Sequence, residues 1–298
     1  MTASLPHQTQ YAAGANTTYT RRFSVVSDTV SSQNRVLERD GLRGSRTPRS
    51  GDVAAAFQYV PQGTIVIEPS ANDILFWLPF ILGGSANVAS YPLAETVPTF
   101  AWLRDEDGAM MQFPTLKVNR ATLSGSQTDP VMKLALDVVG GTEASVNSFS
   151  NVAATYERPF LFSDLTLNLT SNAARQPFDW QWSVDNQLIT DRFLNTLTLT
   201  AVPEGERIIQ MAMTLPYGDN TALYPWAAAG ANGSFNMAIA STNSYLAASF
   251  PLLFGPPTTP AVPDRNENRL LLTLRTYANS AANGADGSEC VVTASGNA

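Results

Sequence analysis

Few side chains in this sequence are suited to nucleophilic or metal chemistry. The chain contains one histidine, His7, and one cysteine, Cys290, near opposite ends. A serine or cysteine nucleophile needs a base beside it, usually histidine, and a structural zinc ion needs four ligands, mostly cysteine or histidine. The sequence contains no P-loop, dinucleotide-binding glycine pattern or Gly-x-Ser-x-Gly elbow. We therefore expect a protein that is not an enzyme, with no catalytic residue, metal or cofactor.

Three adjacent acids are the next candidates for catalysis. Asp105, Glu106 and Asp107 precede Gly108. A pair of carboxylates can hydrolyse a glycosidic bond, so a two-carboxylate hydrolase is one interpretation. Acids followed by glycine are also typical of a charged hairpin turn, and we favour that interpretation.

Two tryptophans could form a binding platform. Trp180 and Trp182 alternate with polar residues in "FDWQWSV". Alternate residues of a strand share one face, so both indoles point the same way as Phe178 and Val184. An exposed platform of this kind would stack on a sugar, whereas a buried one would pack in a core or an interface. We favour packing and keep carbohydrate binding as the alternative.

The strongest charge pattern lies between Arg35 and Arg49. These fifteen residues contain five arginines and two acids, in a chain whose net charge is -7. The segment therefore carries +3 and the remainder of the chain -10. Nucleic-acid binding is the obvious interpretation, but no aromatic residue lies between the arginines, as base stacking would require. We therefore favour a contact with acidic groups of another protein subunit.

Composition indicates a subunit of an assembly. Only 14% of the 298 residues are charged, against about a quarter in an average domain. A surface with so little charge is poorly suited to a free monomer, and burial in an assembly would remedy this. The N-terminus lacks the regions of a signal peptide, and the longest apolar run, Ile74 to Leu82, is shorter than the roughly 20 residues of a membrane-spanning helix. We expect a soluble protein made in a cytoplasm, without a membrane partner.

Alternating apolar and polar residues predict that most elements are β-strands. In "LTLNLT", Leu165, Leu167 and Leu169 fall on one face, which is the pattern of an antiparallel strand with one buried side. Similar segments recur along the chain, separated by turn signals rich in Gly, Asn and Asp. The predicted fold class is mainly β, an antiparallel sandwich or barrel with one packed α-helix and long loops.

The helix of this fold is predicted just after the strand "QGTIVIEP". Ser70 can cap its N-terminus with Asp73 at N3, and Gly83 can end it. Pro79 should kink or shorten the helix, because proline lacks a backbone N–H group. A second short helix is predicted near 220–229.

The domain organisation is predicted to be simple. Residues 1–17 are small and polar and should form a flexible arm, followed by a single β-domain at 18–298. Long loops are expected at 31–58, 140–157 and 255–268, where strand patterns are interrupted.

Taken in chain order, several segments resemble those of bacteriophage tail tube proteins of the long-tailed, siphovirus-like kind. They are "VVSDTVSSQNRVLERDGLRGSRTPRSGDV", "QGTIVIEPSANDILFWLPFILGG", "PFLFSDLTLNLT", "FDWQWSVDNQL", "GSFNMAI" and "NRLLLTLRTYA". The resemblance spans roughly Tyr19 to Thr293 and rests on the order and spacing of the motifs. This chain is longer than the smallest members, and we expect the extra length near 140–160 or 218–232.

The resemblance implies a structural virion protein, the major tail tube subunit. Its copies would close into hexameric rings, and the stacked rings would form the conduit for ejection of viral DNA into the host. Implied partners are further copies of the chain, the tape-measure, tail tip and tail terminator proteins, and double-stranded DNA that passes without specific binding. Self-assembly would take place in the cytoplasm of the bacterial host. The alternative is a β-sandwich carbohydrate-binding or adhesin module of a virion.

The dimensions of such a ring are compatible with a DNA conduit. About 24 strands from six copies, spaced roughly 4.8 Å apart and tilted about 45°, would close a barrel about 50 Å across. Subtracting about 5 Å of side chain on each wall leaves roughly 40 Å, enough for a hydrated duplex.

The resemblance also implies a role for the arginine-rich segment. In the family a long loop between early strands reaches the neighbouring ring, and the segment lies at that position. The implied inter-ring or inter-subunit residues are Arg35, Arg39, Asp40, Gly41, Leu42, Arg43, Gly44, Arg46 and Arg49. A solvated surface loop is the alternative.

Overall fold

Antiparallel strands dominate the computed structural model of the chain. The structure describes residues 9–15, 18–38, 53–84, 90–106, 109–146, 152, 157–169, 174–193, 196, 199, 201–229, 233–241, 244–255, 268–277 and 290–295. Within these ranges, side chains are described except at 33–38, 53–59, 241, 244, 252 and 254.

The described strands follow one another along the whole chain. Their bounds are β1 Thr9–Ala15, β2 Arg21–Phe23, β3 Val25–Asp28, β4 Ser31–Glu38, β5 Val53–Ile67, β6 Ser90–Tyr91, β7 Phe100–Glu106, β8 Ala109–Ser126, β9 Lys133–Gly140, β10 Ala144–Val146, β11 Leu165–Leu169, β12 Ala174–Arg175, β13 Asp179–Asp185, β14 Ile208–Pro216, β15 Gly233–Ser241, β16 Ser244–Phe254, β17 Arg269–Thr276 and β18 Val291–Ser295. The helices are α1 Ala71–Leu82 and α2 Leu223–Ala228, with short 3₁₀ turns at Phe162–Asp164 and Gly218–Asn220.

The longest strand, β8, lies at the centre of the sheet. Its first half, near Gln112, pairs with β7 on one side and with β10 on the other. Its second half, near Leu123, pairs with β13 on the β7 side and with β9 on the β10 side. One strand therefore joins four others and makes the sheet continuous.

Three branches extend from this centre. From β7 the sheet continues to β1 and β2. From β9 it continues to β5, whose other edge pairs with β3 and β4. From β13 it continues through β14 and β17 to β16. Strand β16 then connects β15, β11 and β12 on one side, and β18 and β6 on the other. The sheet curls into a half-barrel, which confirms the mainly antiparallel β fold class.

The curled sheet and α1 share one large hydrophobic core. Strand β14 shows how alternating residues form this core. Its buried residues are Ile209, Met211, Met213 and Leu215, and the residues between them are partly exposed. Helix α1 packs against β6, β8, β16 and β18. The largest fully buried side chains are Trp77, Trp102, Trp180, Phe100, Phe113, Phe160, Phe235 and Phe250.

The ends of α1 agree with the predicted capping pattern. The backbone N–H of Asp73 donates to Ser70 Oγ at 3.2 Å, and the N–H of Ser70 donates to Asp73 Oδ2 at 2.9 Å, which completes a capping box. Gly83 ends the helix with a left-handed φ of 87°, a conformation that glycine adopts without strain. Pro79 lies inside α1, which continues to Leu82. The second short helix, α2, is also confirmed.

Residues 9–15, expected to belong to a flexible arm, instead form β1 between β2 and β7. Two alanines of β1, Ala12 and Ala13, are fully buried, and Tyr11 stacks on Trp102 with ring centroids 5.5 Å apart. Small side chains give little hydrophobic signal in a sequence, yet they allow one strand to lie close against a neighbouring layer.

The predicted loop at 31–58 is also corrected. Residues 31–38 form β4 and residues 53–58 begin β5, and the two strands pair. Part of the predicted loop at 140–157 likewise forms β10 at Ala144–Val146. Residues 256–267 of the third predicted loop lie outside the described residues.

Replacing Ser70 with alanine tests the capping box. We expect the free energy of unfolding to fall by about 1–2 kcal/mol, because the buried N–H of Asp73 loses its acceptor. Urea unfolding followed by circular dichroism measures this loss. The control is Ser249→Ala on the exposed side of β16, which should change stability by less than about 0.5 kcal/mol. Equal effects of the two substitutions would contradict the capping role.

Candidate functional site

Asp105 and Glu106 lie at the end of β7, next to the start of β8, as the favoured hairpin interpretation predicts. Glu106 at the end of β7 pairs in register with Ala109 at the start of β8, and residues 107–108 between them lie outside the described residues. The carboxylate of Glu106 forms an ion pair with Arg104 Nε at 2.9 Å. Within the described part of the chain, no cluster of three His, Cys, Asp or Glu residues could hold a metal ion.

The two tryptophans of β13 are not an exposed platform. Trp180 and Trp182 are 1% and 4% exposed, and both belong to the hydrophobic core. The ring of Trp182 meets that of Phe250 edge to face at 6.4 Å. The core-packing interpretation is therefore confirmed, and the carbohydrate-binding alternative loses the site on which it depended.

A two-stranded ribbon leaves the sheet at β4 and β5; we define the ribbon as residues 31–38 and 53–61. Strand β5 pairs with β9 only from Gln62 to Ile67, whereas it pairs with β4 from Val53 to Gln62. The nine residues of β5 that precede Gln62 therefore extend past β9. At roughly 3.3 Å per residue they span about 30 Å. Among the described elements, β5 is the one against which β4 packs extensively.

The arginine-rich segment begins in β4, within the ribbon. Arg35 is in β4 opposite Gln58, and Glu38 pairs with Val53 at the last described positions. The other residues implied for inter-ring contact lie outside the described residues, namely Arg39, Asp40, Gly41, Leu42, Arg43, Gly44, Arg46 and Arg49. Their assignment to a contact remains a prediction, while their place between the two ribbon strands follows from the pairing of β4 with β5.

The root of the ribbon is a link of two residues, Thr29 and Val30, between β3 and β4. Asp28 Oδ1 accepts the backbone N–H of Val30 at 2.8 Å. Asp28 Oδ2 accepts the indole N–H of Trp102 at 3.0 Å and lies 3.6 Å from Arg104 Nη1. Arg104 Nη1 also donates to the carbonyl oxygen of Val30 at 3.2 Å. One carboxylate and one guanidinium therefore attach this link to β7.

The carboxylate of Asp28 is fully buried, with 0% side-chain exposure. Burial raises the pKa of Asp28 above its ordinary value, although the hydrogen bonds from Trp102 and Val30 and the charge of Arg104 act in the opposite direction. Nearby Glu106 also raises the pKa of Asp28. Burial outweighs these donors, so the net shift of the pKa of Asp28 is upward.

The same link is also attached to β5. The backbone N–H of Thr29 donates to the carbonyl oxygen of Thr64 at 3.1 Å, and the N–H of Thr64 donates to Thr29 Oγ1 at 2.9 Å. The hydroxyl of Thr64 donates to Asp137 Oδ1 at 2.6 Å. A Cβ on Gly63 would lie 2.6 Å from backbone atoms of Thr29 and Val30, so this close approach requires glycine. We call the link and these attachments the joint.

A second polar cluster secures the N-terminus of α1. Arg21 Nε of β2 forms an ion pair with Asp73 at 2.6 Å, and its Nη2 lies 3.2 Å from Glu157 Oε2. Ser70 Oγ and Asn72 Nδ2 donate to Glu157 at 2.6 and 2.9 Å. Burial raises the pKa of Glu157, but the hydrogen bonds from Asn72 and Ser70 and the charge of Arg21 outweigh it, so the pKa is lowered. The cluster joins β2, α1 and the segment before Phe160.

One region of the sheet is free of charged residues. Strands β11, β15, β16 and β18 are neighbours and contain no Asp, Glu, Lys or Arg. Their exposed side carries small and polar side chains together with Tyr245 and Val291, which are 39% and 46% exposed. A wide uncharged surface of this kind is typical of protein–protein contact rather than of free solvent exposure.

Sequence reasoning found the arginine-rich segment and the α1 caps but missed the joint. Its one local signal is Asp28 followed by a polar residue, which is typical of a side chain that accepts the N–H two residues ahead. The partners Trp102 and Arg104 lie 74 residues or more from the groups they bind. No spacing rule connects positions so far apart.

Comparison with protein-family models gives a match over nearly the whole chain. A family model described as "Phage tail tube protein" matches residues 6–289, nearly the whole chain. The search of curated proteins found no match. Within the described residues, no helix is long and apolar enough to cross a membrane.

The lowered pKa of Glu157 predicts a pH-dependent contribution to stability. This contribution should be fully present above the ordinary pKa of 4.5 and be lost as the pH falls through the lowered pKa. Glu157→Gln should therefore reduce the free energy of unfolding by about 1–2 kcal/mol at pH 7, with the difference from wild type shrinking below about pH 4.5. Urea midpoints between pH 3 and pH 7 measure the difference.

The matched control is Glu95→Gln, a change of the same kind at an exposed position. It should alter stability by less than about 0.5 kcal/mol at every pH. A difference between Glu157→Gln and wild type that stays constant from pH 7 to pH 3 would contradict the role assigned to the carboxylate.

Proposed function

The chain belongs to the phage tail tube protein family, and from this premise we propose that it closes into hexameric rings whose stacking forms the conduit for viral DNA. The family membership makes it a structural component of the virion tail. The observation that carries the proposal is the match over residues 6–289, together with a curled antiparallel sheet over the same span. The proposed function is structural rather than catalytic, because the subunit would form part of the wall of the conduit.

Ring closure is supported by the shape and the surface chemistry of the sheet. A half-barrel of strands leaves hydrogen-bonding edges, and pairing them between six copies would remove the risk of uncontrolled association. The uncharged region of β11, β15, β16 and β18 suits contact with a neighbouring copy, because no ion would lose its hydration there.

Stacking of the rings is assigned to the arginine-rich segment, residues 35–49. The ribbon would carry this segment about 30 Å from β9, far enough to reach past the edge of its own subunit. The segment has a charge of +3 and the rest of the chain -10, so its arginines have acidic partners on any neighbouring copy. Bidentate pairing with carboxylates would fix the register of one ring on the next.

The charge of the remaining chain also supports conduction without binding. A net charge of -10 outside the arginine-rich segment repels phosphates wherever it faces the lumen. Double-stranded DNA would pass without specific contacts, since basic contacts supply most non-specific affinity. We further propose that the tape-measure, tail tip and tail terminator proteins set the length and ends of the tube, and that assembly takes place in the host cytoplasm.

The first test is assembly of the purified chain. Negative-stain electron microscopy should show rings or tubes, formed spontaneously or after nucleation by the tail tip proteins. The variant Arg39→Ala/Arg43→Ala/Arg46→Ala should fold and form rings but stack poorly, shortening the tubes by about tenfold or more, since each charged pair contributes to the contact.

The control for charge is Arg158→Ala/Arg192→Ala/Arg269→Ala, which removes three exposed arginines from the body of the subunit. It should polymerise like wild type. Normal stacking of the first variant would refute the assignment of the arginine-rich segment while leaving the tube intact. A chain that stays monomeric even with its tip and tape-measure proteins would refute the ring itself.

The second test measures affinity of assembled tubes for double-stranded DNA. At physiological salt we expect dissociation constants no tighter than about 10⁻⁴ M, the weak end of non-specific binding. Fluorescence anisotropy with a labelled duplex gives this value over a range of salt concentrations. Tight binding that weakens steeply with salt would show a basic lumen and contradict conduction by repulsion.

A further inference from the structure

The same pattern of strand pairing occurs in both halves of the chain. In the first half, β1 pairs with β2 and β7, β7 with β8, β8 with β9 and β10, and β9 with β5. In the second half, β11 pairs with β12 and β15, β15 with β16, β16 with β17 and β18, and β17 with β14. All of these pairs are antiparallel, and the corresponding strands follow one another in the same order. We call residues 9–146 the first repeat and residues 165–295 the second repeat.

The remaining elements of the two repeats also correspond. Strands β3 and β4 together pair with β5, as β13 pairs with β14. Helix α1 follows β5, and α2 follows β14. Two residues join β7 to β8, with Glu106 opposite Ala109, and two residues join β15 to β16, with Ser241 opposite Ser244. The correspondence therefore includes the lengths of connections as well as the order of strands.

An arginine holds the start of the helix in each repeat. Arg21 of β2 forms an ion pair with Asp73 in the first turn of α1 at 2.6 Å. Arg175 of β12 donates from Nη1 to Asn220 Oδ1 at 3.2 Å, just before α2 begins at Leu223. Strand β12 has the same place in the second repeat as β2 in the first. A shared topology with a shared polar contact indicates that the two repeats are versions of one fold.

Strands β8 and β13 join the two repeats edge to edge. Their pairing runs from Asp179 opposite Ser126 to Asp185 opposite Arg120. Strand β13 therefore has β14 of its own repeat on one edge and β8 of the first repeat on the other. Its counterparts β3 and β4 pair with β5 on one edge, and no strand in the described part of the chain pairs with their outer edge. The first repeat thus lacks a neighbouring strand at the position where the second repeat has one.

We propose that three copies of this chain, rather than six, close the ring, and that the second repeat of each copy pairs with the outer edge of β3 in the next copy, as β8 pairs with β13 within the chain. The proposal rests on the proposed function because it takes the ring as given. The six positions of that ring are filled by six repeats, two from each chain. Such head-to-tail contacts form a closed ring when the rotation from one unit to the next closes the circle.

The number of strands favours three copies. Strands β4, β5, β9, β8, β13, β14, β17 and β16 form one hydrogen-bonded row, with four strands from each repeat. Three copies give about 24 strands and a barrel about 50 Å across, whereas six copies give about 48 strands and a barrel about 100 Å across. After subtraction of about 5 Å of side chain on each wall, the lumen is roughly 40 Å or roughly 90 Å wide. A conduit for a single DNA duplex requires only the narrower lumen.

The surface chemistry of the two partners suits this contact. Val26 in β3 is an apolar side chain with 51% exposure. An exposed apolar residue on an unpaired strand edge favours association, and pairing with another copy protects it from solvent. Strand β16, the counterpart of β8, belongs to the uncharged region of the sheet, so no ion loses its hydration on that side.

The described backbone contacts limit where the pairing occurs. The N–H of Val30 already donates to Asp28, and its carbonyl oxygen accepts from Arg104. The contact is therefore assigned to β3, Val25–Asp28. On the other partner it is assigned to the side of the second repeat at β16, since residues 256–267, which follow, lie outside the described residues.

The first test counts the copies in a ring. Native mass spectrometry of isolated rings should give 96 kDa, the mass of three chains of 32.0 kDa, and not the 192 kDa of six chains. Rings assembled from a mixture of wild-type chain and a mass-tagged chain give an independent count. Three copies per ring produce four mass species, because a ring contains from none to three tagged chains, whereas six copies produce seven. Rings of six copies would overturn the proposal.

The second test places a charge on the proposed contact. Val26→Lys should fold normally, because the side chain is exposed, but reduce the yield of rings about tenfold or more, since a charged edge residue opposes strand addition. Circular dichroism checks folding, and size-exclusion chromatography measures ring yield. Val26→Glu is the second variant, which decides the matter if Val26→Lys does not fold.

The matched control is Leu271→Lys, which introduces the same charge at a residue that is 43% exposed. Leu271 lies in β17, which already pairs with both β14 and β16 within the chain. This variant should form rings like wild type. Equal loss of rings in the Leu271 and Val26 variants, or normal ring formation by both Val26 variants, would overturn the assignment of β3.

The outcomes distinguish this proposal from the function on which it rests. Three-copy rings whose formation is impaired by charge at Val26 support the proposal. Six-copy rings contradict it and leave the tube function in place. A wild-type chain that forms no ring, even with its tip and tape-measure proteins, contradicts the proposed function and the proposal together.

Discussion

The curl of this sheet depends on the burial of one helix. Trp77 of α1 is completely buried, and its ring meets Phe23 of β2 at 5.3 Å and Phe100 of β7 at 5.0 Å. Other residues of α1 pack on β8, β16 and β18. A flat sheet could not contact one short helix from so many strands. Burial of the apolar surface of α1 therefore favours a curved sheet. The half-barrel shape that suits a tube wall is therefore a consequence of core packing within a single subunit.

The charged residues that stabilise the fold differ from those that the proposed function assigns to assembly. The core contains aromatic and aliphatic side chains, and four neighbouring strands carry no charge at all. Ion pairs gather instead at places where elements meet, such as Arg21 with Asp73 and Arg104 with Asp28. Arginine excess is confined to the segment between the ribbon strands. If the proposed function holds, a subunit of this kind would fold first and recognise its neighbours afterwards, because different residues would serve the two steps.

Features set by local rules could be predicted from the sequence, and features set by distant contacts could not. Ser70, Asp73 and Gly83 define α1 because a capping box and a left-handed glycine act within one turn. The alternation at Trp180 and Trp182 identified a buried face for the same reason. By contrast, β1 depends on β7, almost a hundred residues away in sequence, and its alanines carry little signal. Asp28 is an ordinary turn residue until Trp102 and Arg104 are placed beside it.

The position of β18 has a consequence for synthesis of the subunit. This strand comes after every other described strand, yet it lies between β16 and β6, where Cys290, Val292 and Ala294 are buried beside α1. The core is complete only when residues 290–295 have left the ribosome. A nascent or prematurely terminated chain lacks a strand that packs in its own core and cannot present the finished surfaces of a subunit. Synthesis of residues 290–295 is thereby required before the described core can close.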